Sequence, residues 1–85
     1  MRLTLKYFAS LREALGSGGA VEWTPDGDPT ADALRTWLRT QSDAHAQALA
    51  PGRAVRVAVD QALAHDATPL RDGAEVAFFP PVTGG

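Results

Sequence analysis

The sequence runs to 85 residues and finishes Pro80-Pro81-Val82-Thr83-Gly84-Gly85, directly after the hydrophobic stretch Ala74 to Phe79. A terminal glycine presents one reactive group, its own α-carboxylate. Without side chains, Gly84-Gly85 can enter a channel too narrow for any other residue. Pro80 and Pro81 supply no N–H donors and fix φ near −65°, so they cannot continue a central strand. Residues 80–85 are therefore predicted to leave the fold as a stiff extended arm with a reach of up to ~20 Å. A frayed end is the ordinary explanation of terminal glycines. Two stiffening prolines immediately after a strand favour a functional arm instead.

Other reactive groups are sparse. The chain has no cysteine, which excludes disulfides, thiolate metal sites and a cysteine nucleophile. His65-Asp66 forms one acid–base pair in an expected loop with no nucleophile beside it, and reads as surface. His45 lies on a short polar helix without ligands at metal spacing. Trp23 and Trp37 read as core. Arg12, Arg35, Arg39, Arg53, Arg56 and Arg71 are expected to be mostly solvated, with one or two meeting an acidic partner. A net charge of −2 provides no basic field for nucleic acid. Met1 to Lys6 alternates rather than forming an apolar run, so neither a secretory leader nor a membrane span is expected, and the cytoplasm is the expected compartment.

The carboxylate arm needs a body to position it, and 85 residues build one modest core. Leu3, Leu5 and Tyr7 alternate with Thr4, Lys6 and Phe8, predicting a first strand with Phe8 facing away from the core. Ser10-Leu11-Arg12-Glu13 reads as a capping box opening a short helix that Gly16 stops. After a Gly16–Gly19 turn, Ala20 to Thr24 reads as a second strand with Val21 and Trp23 on one face. Its short connection to the first makes the two antiparallel neighbours. Thr30 caps a helix whose stripe is Ala31, Leu34, Leu38 and Gln41, with Trp37 beside it. Ser42 caps a second short helix through Leu49. Val55, Val57 and Val59 form the inner face of a third strand, Asp60-Gln61 a tight turn, and Ala62-Leu63-Ala64 a return strand. Asp72-Gly73 turns into the last strand, with Val76 and Phe78 on one face and Ala77 and Phe79 on the other. This order predicts an α+β fold, a mixed sheet with helices on one face. The specific expectation is a β-grasp, a sheet wrapped around one main helix with first and last strands parallel at the centre, with a domain over residues 1–79 and a tail over 80–85.

The run Leu70 to Gly85, with its D-G-x-E-V-A-F-F-P-P-V-T-G-G pattern, resembles the C-terminal signature of the molybdopterin synthase small subunit. Tyr7 to Glu13 and Val57 to Gln61 are similar to other parts of that family, and the likeness covers the whole chain. Asp60 stands where the family is expected to carry Asn more often, a difference confined to a turn. The resemblance implies a ubiquitin-like β-grasp sulfur carrier that is not catalytic alone and binds no cofactor. Its terminal glycine, here Gly85, would be adenylated by a ubiquitin-activating-like adenylyltransferase using ATP. A sulfur donor protein would then convert it to a thiocarboxylate. The large synthase subunit would take up the tail, Pro80, Pro81, Val82, Thr83 and Gly84, and use the sulfur to build the dithiolene of molybdopterin.

Residue chemistry is consistent with that scheme. A C-terminal carboxylate has a pKa of ~3.3–3.7 and is ionised at neutral pH, so it must be activated before a nucleophile can attack it. Ordering six flexible residues in a channel would cost roughly 6–12 kcal/mol, and two prolines reduce that loss. By strand parity Phe8 and Phe79 meet on the helix-free face, and Leu63 can join them, giving an apolar partner interface. Competing readings are a thiamine-pathway sulfur carrier, a ubiquitin-like protein modifier and an inert interaction module. The thiamine-pathway carrier shares the Gly-Gly terminus but is not expected to share the F-F-P-P-V-T run. The modifier shares the activation chemistry and is separated by isopeptide conjugates, not by the tail.

Overall fold

In the computed structural model, residues 1–81 are described. Five strands form one mixed sheet: β1 (Arg2–Tyr7), β2 (Gly18–Glu22), β3 (Arg56–Val59), β4 (Ala62–Ala64) and β5 (Glu75–Phe79). They lie in the order β2-β1-β5-β3-β4. β1 and β5 are parallel neighbours, with Leu5 opposite Val76 and Tyr7 opposite Phe78; the other neighbours are antiparallel. Three helices, α1 (Ala9–Leu15), α2 (Ala31–Leu38) and α3 (Asp43–Ala48), complete the fold. Leu11, Leu34, Leu38 and Ala48 from these helices share one core with Leu3, Leu5, Tyr7, Val57, Val76 and Phe78 of the sheet. The helices therefore cover a single sheet face, as alternation predicts. The β-grasp arrangement, with first and last strands central and parallel, is the one observed.

Stability is concentrated on that inner face. Phe78, Leu3, Leu34, Leu38, Leu49 and Val76 are the largest fully buried side chains, and each such burial is worth about 1.5–3 kcal/mol. Trp23 and Trp37 pack with ring centroids 6.2 Å apart at the β2 side of this core. Helix caps follow the sequence where they are local. Thr30 Oγ1 accepts from Ala33 N at 3.1 Å, Ser42 Oγ accepts from His45 N at 3.1 Å, and Gly16 ends α1 at φ 85°.

Three local expectations are corrected. Ser10 does not cap α1: the helix begins at Ala9, and Phe8 O accepts from Leu11 N and Arg12 N at 3.1 and 3.3 Å. Phe8, held extended at the end of β1, is the N-cap, so Ser10 lies within the first turn and does not occupy the capping position. β2 begins at Gly18, not Ala20. Gly18 pairs with Lys6 and Gly19 with Leu5, and a β-carbon at Gly18 would collide with the backbone carbonyl of Leu5. These glycines allow close strand approach rather than forming a turn. Gln41 falls beyond the end of α2 and is exposed, so it leaves the predicted stripe.

Arg35 is likewise not a solvated charge. Its Nε donates to Leu49 O at 2.9 Å, and its Nη2 donates to Ala50 O at 2.6 Å and Arg53 O at 3.0 Å. It ties α2 to the connection between α3 and β3. Burial, then the nearby Arg39 charge, pulls its pKa down, opposed by Asp66 and Asp32. Hydrogen bonds from a charged donor are worth about 1.5–3 kcal/mol each, though shared geometry prevents simple addition. Arg35→Ala is expected to lower stability by about 2–3 kcal/mol in urea unfolding. Arg35→Lys should recover only part, because a point ammonium cannot span three carbonyls. A wild-type midpoint for Arg35→Ala would refute the role.

Candidate functional site

The sheet face away from the helices carries the candidate site. Along β5 the outward residues are Glu75, Ala77 and Phe79; in register beside Ala77 stand Lys6 on β1 and Ala58 on β3, and beside Ala58 stands Leu63 on β4. Phe8 N donates to Phe78 O at 3.2 Å, which extends the parallel ladder one step past Tyr7 and sets Phe8 beside Phe79. Phe8 and Leu63 are the exposed large hydrophobic residues among those described, at 46% and 70% exposure. Phe79 is half-buried. Ala77 is buried without belonging to the main core and forms a small-residue floor to this face. The face is thus apolar along Phe8, Phe79, Ala77, Ala58 and Leu63.

Local geometry holds these side chains in place. Ala9 has φ 53°, a left-handed conformation costing a non-glycine residue ~1–2 kcal/mol. It turns the chain sharply into α1 while Phe8 stays extended at the end of the ladder. Asp60 and Gln61 have φ of 50° and 68°, the signature of the hairpin turn that returns β4 beside β3. Asp60 Oδ1 accepts from Glu75 N at 3.0 Å while Asp60 N donates to Glu75 O at 2.8 Å. An asparagine side-chain oxygen could accept the same bond, which explains why Asp serves at this turn. At the start of β5, Asp72 Oδ1 accepts from Arg2 N at 2.5 Å, and Gly73 N donates to Arg2 O at 2.6 Å.

Pro80 and Pro81 follow β5 outside any strand, at the end of the face marked by Phe8 and Phe79. Val82, Thr83, Gly84 and Gly85, the remaining predicted site positions, lie outside the described residues. Among the described residues no cluster of three or more His, Cys, Asp or Glu is placed to hold a metal. Among the described residues no helix is long and apolar enough to cross a membrane. His65 is used locally: its Nδ1 accepts from Ala67 N at 3.2 Å and its N donates to Thr68 Oγ1 at 3.0 Å. His45 Nδ1 lies 2.7 Å from Ser42 Oγ in the cap of α3. On the helix-covered face Tyr7 stacks on its register partner Phe78 at 6.1 Å, and its hydroxyl is buried with no hydrogen-bond partner among the described residues. Burial pushes its pKa up from 10.0 to about 12, so the phenol stays protonated near neutrality. Because the folded value is the higher one, the associated stability is complete below pH 10 and is lost towards pH 12.

Comparison with known proteins gives a consistent set. The ThiS family profile matches residues 5–85. The molybdopterin synthase sulfur carrier subunit of Escherichia coli is 49% identical over 79 residues, covering 93% of this chain and 94% of that protein. Its Haemophilus influenzae counterpart is 40% identical over 83 residues, covering 98% and 99%. Among solved structures, SAMP1 from Haloferax volcanii superposes with a TM-score of 0.75 at 29% identity, covering all of both chains. A chain from the complex of subunits 1 and 2 of molybdopterin-converting factor from Helicobacter pylori matches at TM-score 0.67 and 22% identity, again over the full length of both, and supports the fold alone. By profile and by its two bacterial relatives, this chain belongs to the ThiS family, among the molybdopterin synthase sulfur carrier subunits.

Proposed function

We propose that the chain works as the sulfur-donating subunit of molybdopterin synthase, docking on the large subunit through its outward sheet face and delivering Gly85 into that partner's active site. The single observation that carries this reading is the apolar row Phe8, Phe79, Ala77, Ala58 and Leu63, at whose end the chain continues into Pro80 and Pro81. A small domain that leaves such a face to water has a partner for it. The names of the bacterial relatives support the choice of partner.

In this reading the chain catalyses nothing alone and holds no cofactor. Its Gly85 carboxylate attacks the α-phosphate of ATP on an activating adenylyltransferase and releases pyrophosphate. A sulfur donor protein supplies sulfide equivalents that attack the acyl carbon, and AMP leaves with the C–O bond electrons. The product is a terminal thiocarboxylate, made without any cysteine of this chain. The chemistry is that of a cytoplasmic pathway. Modifier chemistry, in which the activated Gly85 acylates a lysine amine, uses the same first step; recovery of isopeptide conjugates would separate the two.

Leu63 provides the cleanest test of docking. At 70% exposure it adds little to the core, so Leu63→Asp should fold normally. Calorimetric titration against the large subunit is expected to show affinity weaker by about 2–4 kcal/mol, the range of an interface hot spot. Phe79→Ala should fall in the same range. Wild-type affinity in both variants would rule out docking by this face.

A further inference from the structure

The outward face has unequal ends. Where β5 begins, acidic groups are already engaged: Lys6 Nζ lies 3.0 Å from Glu75, Asp60 and Asp72 accept backbone N–H groups, and Arg2 Nε lies 3.8 Å from Glu22. Where β5 finishes, the charges differ. Arg56 stands directly opposite Phe79 in the β3–β5 register. Phe8 flanks Phe79 on the other side, and Arg12, one turn into α1, lines a groove with Lys6, Phe8, Ser17 and Gly18. Both arginines are exposed. Among the described residues neither side chain makes an ion pair or a hydrogen bond, unlike Arg35, whose Nε and Nη2 are held by three backbone carbonyls.

Resting on the docking reading above, we infer that Arg12 and Arg56 bracket the Phe8–Phe79 pair as a cationic contact for carboxylate side chains on the protein that receives the C-terminal arm. Two guanidinium groups beside the arm's exit, on a chain of net charge −2, make a local field opposite in sign to the whole molecule. Charges at the rim of an apolar contact act chiefly on encounter rate and on the choice of partner. The planar guanidinium also fits a carboxylate with two parallel hydrogen bonds, adding orientation to attraction. Arm and face must arrive together for the tail to enter its channel, and a contact bracketing the exit sets that orientation.

Stopped-flow association of the full-length carrier with the large synthase subunit of the same organism tests this. The double variant Arg12→Glu, Arg56→Glu is expected to associate about tenfold more slowly at about 50 mM salt, with the difference largely gone at about 500 mM, where screening shortens the range of exposed charges. Arg71→Glu, before the opposite end of β5, changes net charge by the same amount per site and should leave the rate within about twofold. A wild-type rate for the double variant would overturn the inference, as would a deficit that persists at high salt or an equal effect from Arg71→Glu. The comparison is repeated on a chain lacking residues 82–85; a charge-reversal effect that vanishes there would assign the arginines to the chain's own carboxylate, also overturning it. Leu63→Asp and Phe79→Ala separate the two levels: if both bind normally, the docking reading fails, whereas loss of binding there with an unaffected double variant removes this inference alone.

Discussion

Gly84→Val is expected to abolish product formation by the assembled synthase while leaving thermal stability unchanged. The core is built from side chains between Leu3 and Phe78, so a change at position 84 should alter unfolding free energy by no more than about 0.5 kcal/mol. Its effect falls on delivery. Valine adds a branched β-carbon where the proposal requires the backbone to pass close to partner walls, and it removes the backbone freedom that glycine offers. A displacement of the reacting carbon by ~1 Å can cost about 10²-fold in rate, and a blocked channel costs more. Single-turnover formation of molybdopterin from thiocarboxylated carrier and large subunit would measure this, with a melting curve on the same sample. Full activity with Gly84→Val would show that no narrow passage exists. Lost activity with a lowered melting temperature would place residue 84 in the fold instead.

Strand parity alone makes the site's apolar face legible in the amino-acid sequence. Leu3, Leu5 and Tyr7 alternate inward, so Phe8 must point outward; Val76 and Phe78 face inward, so Phe79 must follow Phe8. Pairing of the first and last strands then places the two residues at neighbouring positions of the ladder. The Asp60-Gln61 turn is legible for a different reason: two residues between short apolar runs leave room only for a tight hairpin, and the positive φ values at both are what that hairpin requires.

What the sequence hides depends on partners distant along the chain. Gly18 and Gly19 look like turn residues, and only the approach of Leu5 O to Gly18 reveals that they are a strand. Ser10 satisfies a capping pattern, but Phe8, held extended at the end of β1, is the N-cap and leaves Ser10 inside the helix. Arg35 resembles the other arginines of the sequence until the carbonyls of Leu49, Ala50 and Arg53 are folded around it. The same comparison distinguishes Arg12 and Arg56 from Arg35: one guanidinium is consumed by the fold, while the other two face outward beside the aromatic pair.

Incubating the carrier with its activating enzyme, ATP and a sulfur donor is expected to replace one oxygen of the Gly85 carboxylate by sulfur. Intact-protein mass spectrometry reads that exchange as a single oxygen-to-sulfur mass increase, and fragmentation should place it in the C-terminal peptide. The chain offers no thiol to compete, since it contains no cysteine. Dependence on ATP follows from the carboxylate's charge: ionised at neutral pH, it repels a sulfur nucleophile until an adenylate neutralises it and supplies a leaving group. Removing Gly85 should abolish the exchange although Gly84 then ends in a carboxylate, because the arm becomes ~3.5 Å shorter and its acid no longer reaches the α-phosphate. Appending one glycine should also impair the reaction, since an acid carried ~3.5 Å too far is misplaced as well. Sulfur on any residue other than Gly85, or an exchange that proceeds without ATP, would refute this chemistry. An unaltered mass in the full-length chain, alongside normal binding to the large subunit, would leave the docking face in place and remove the carrier role of its last residue.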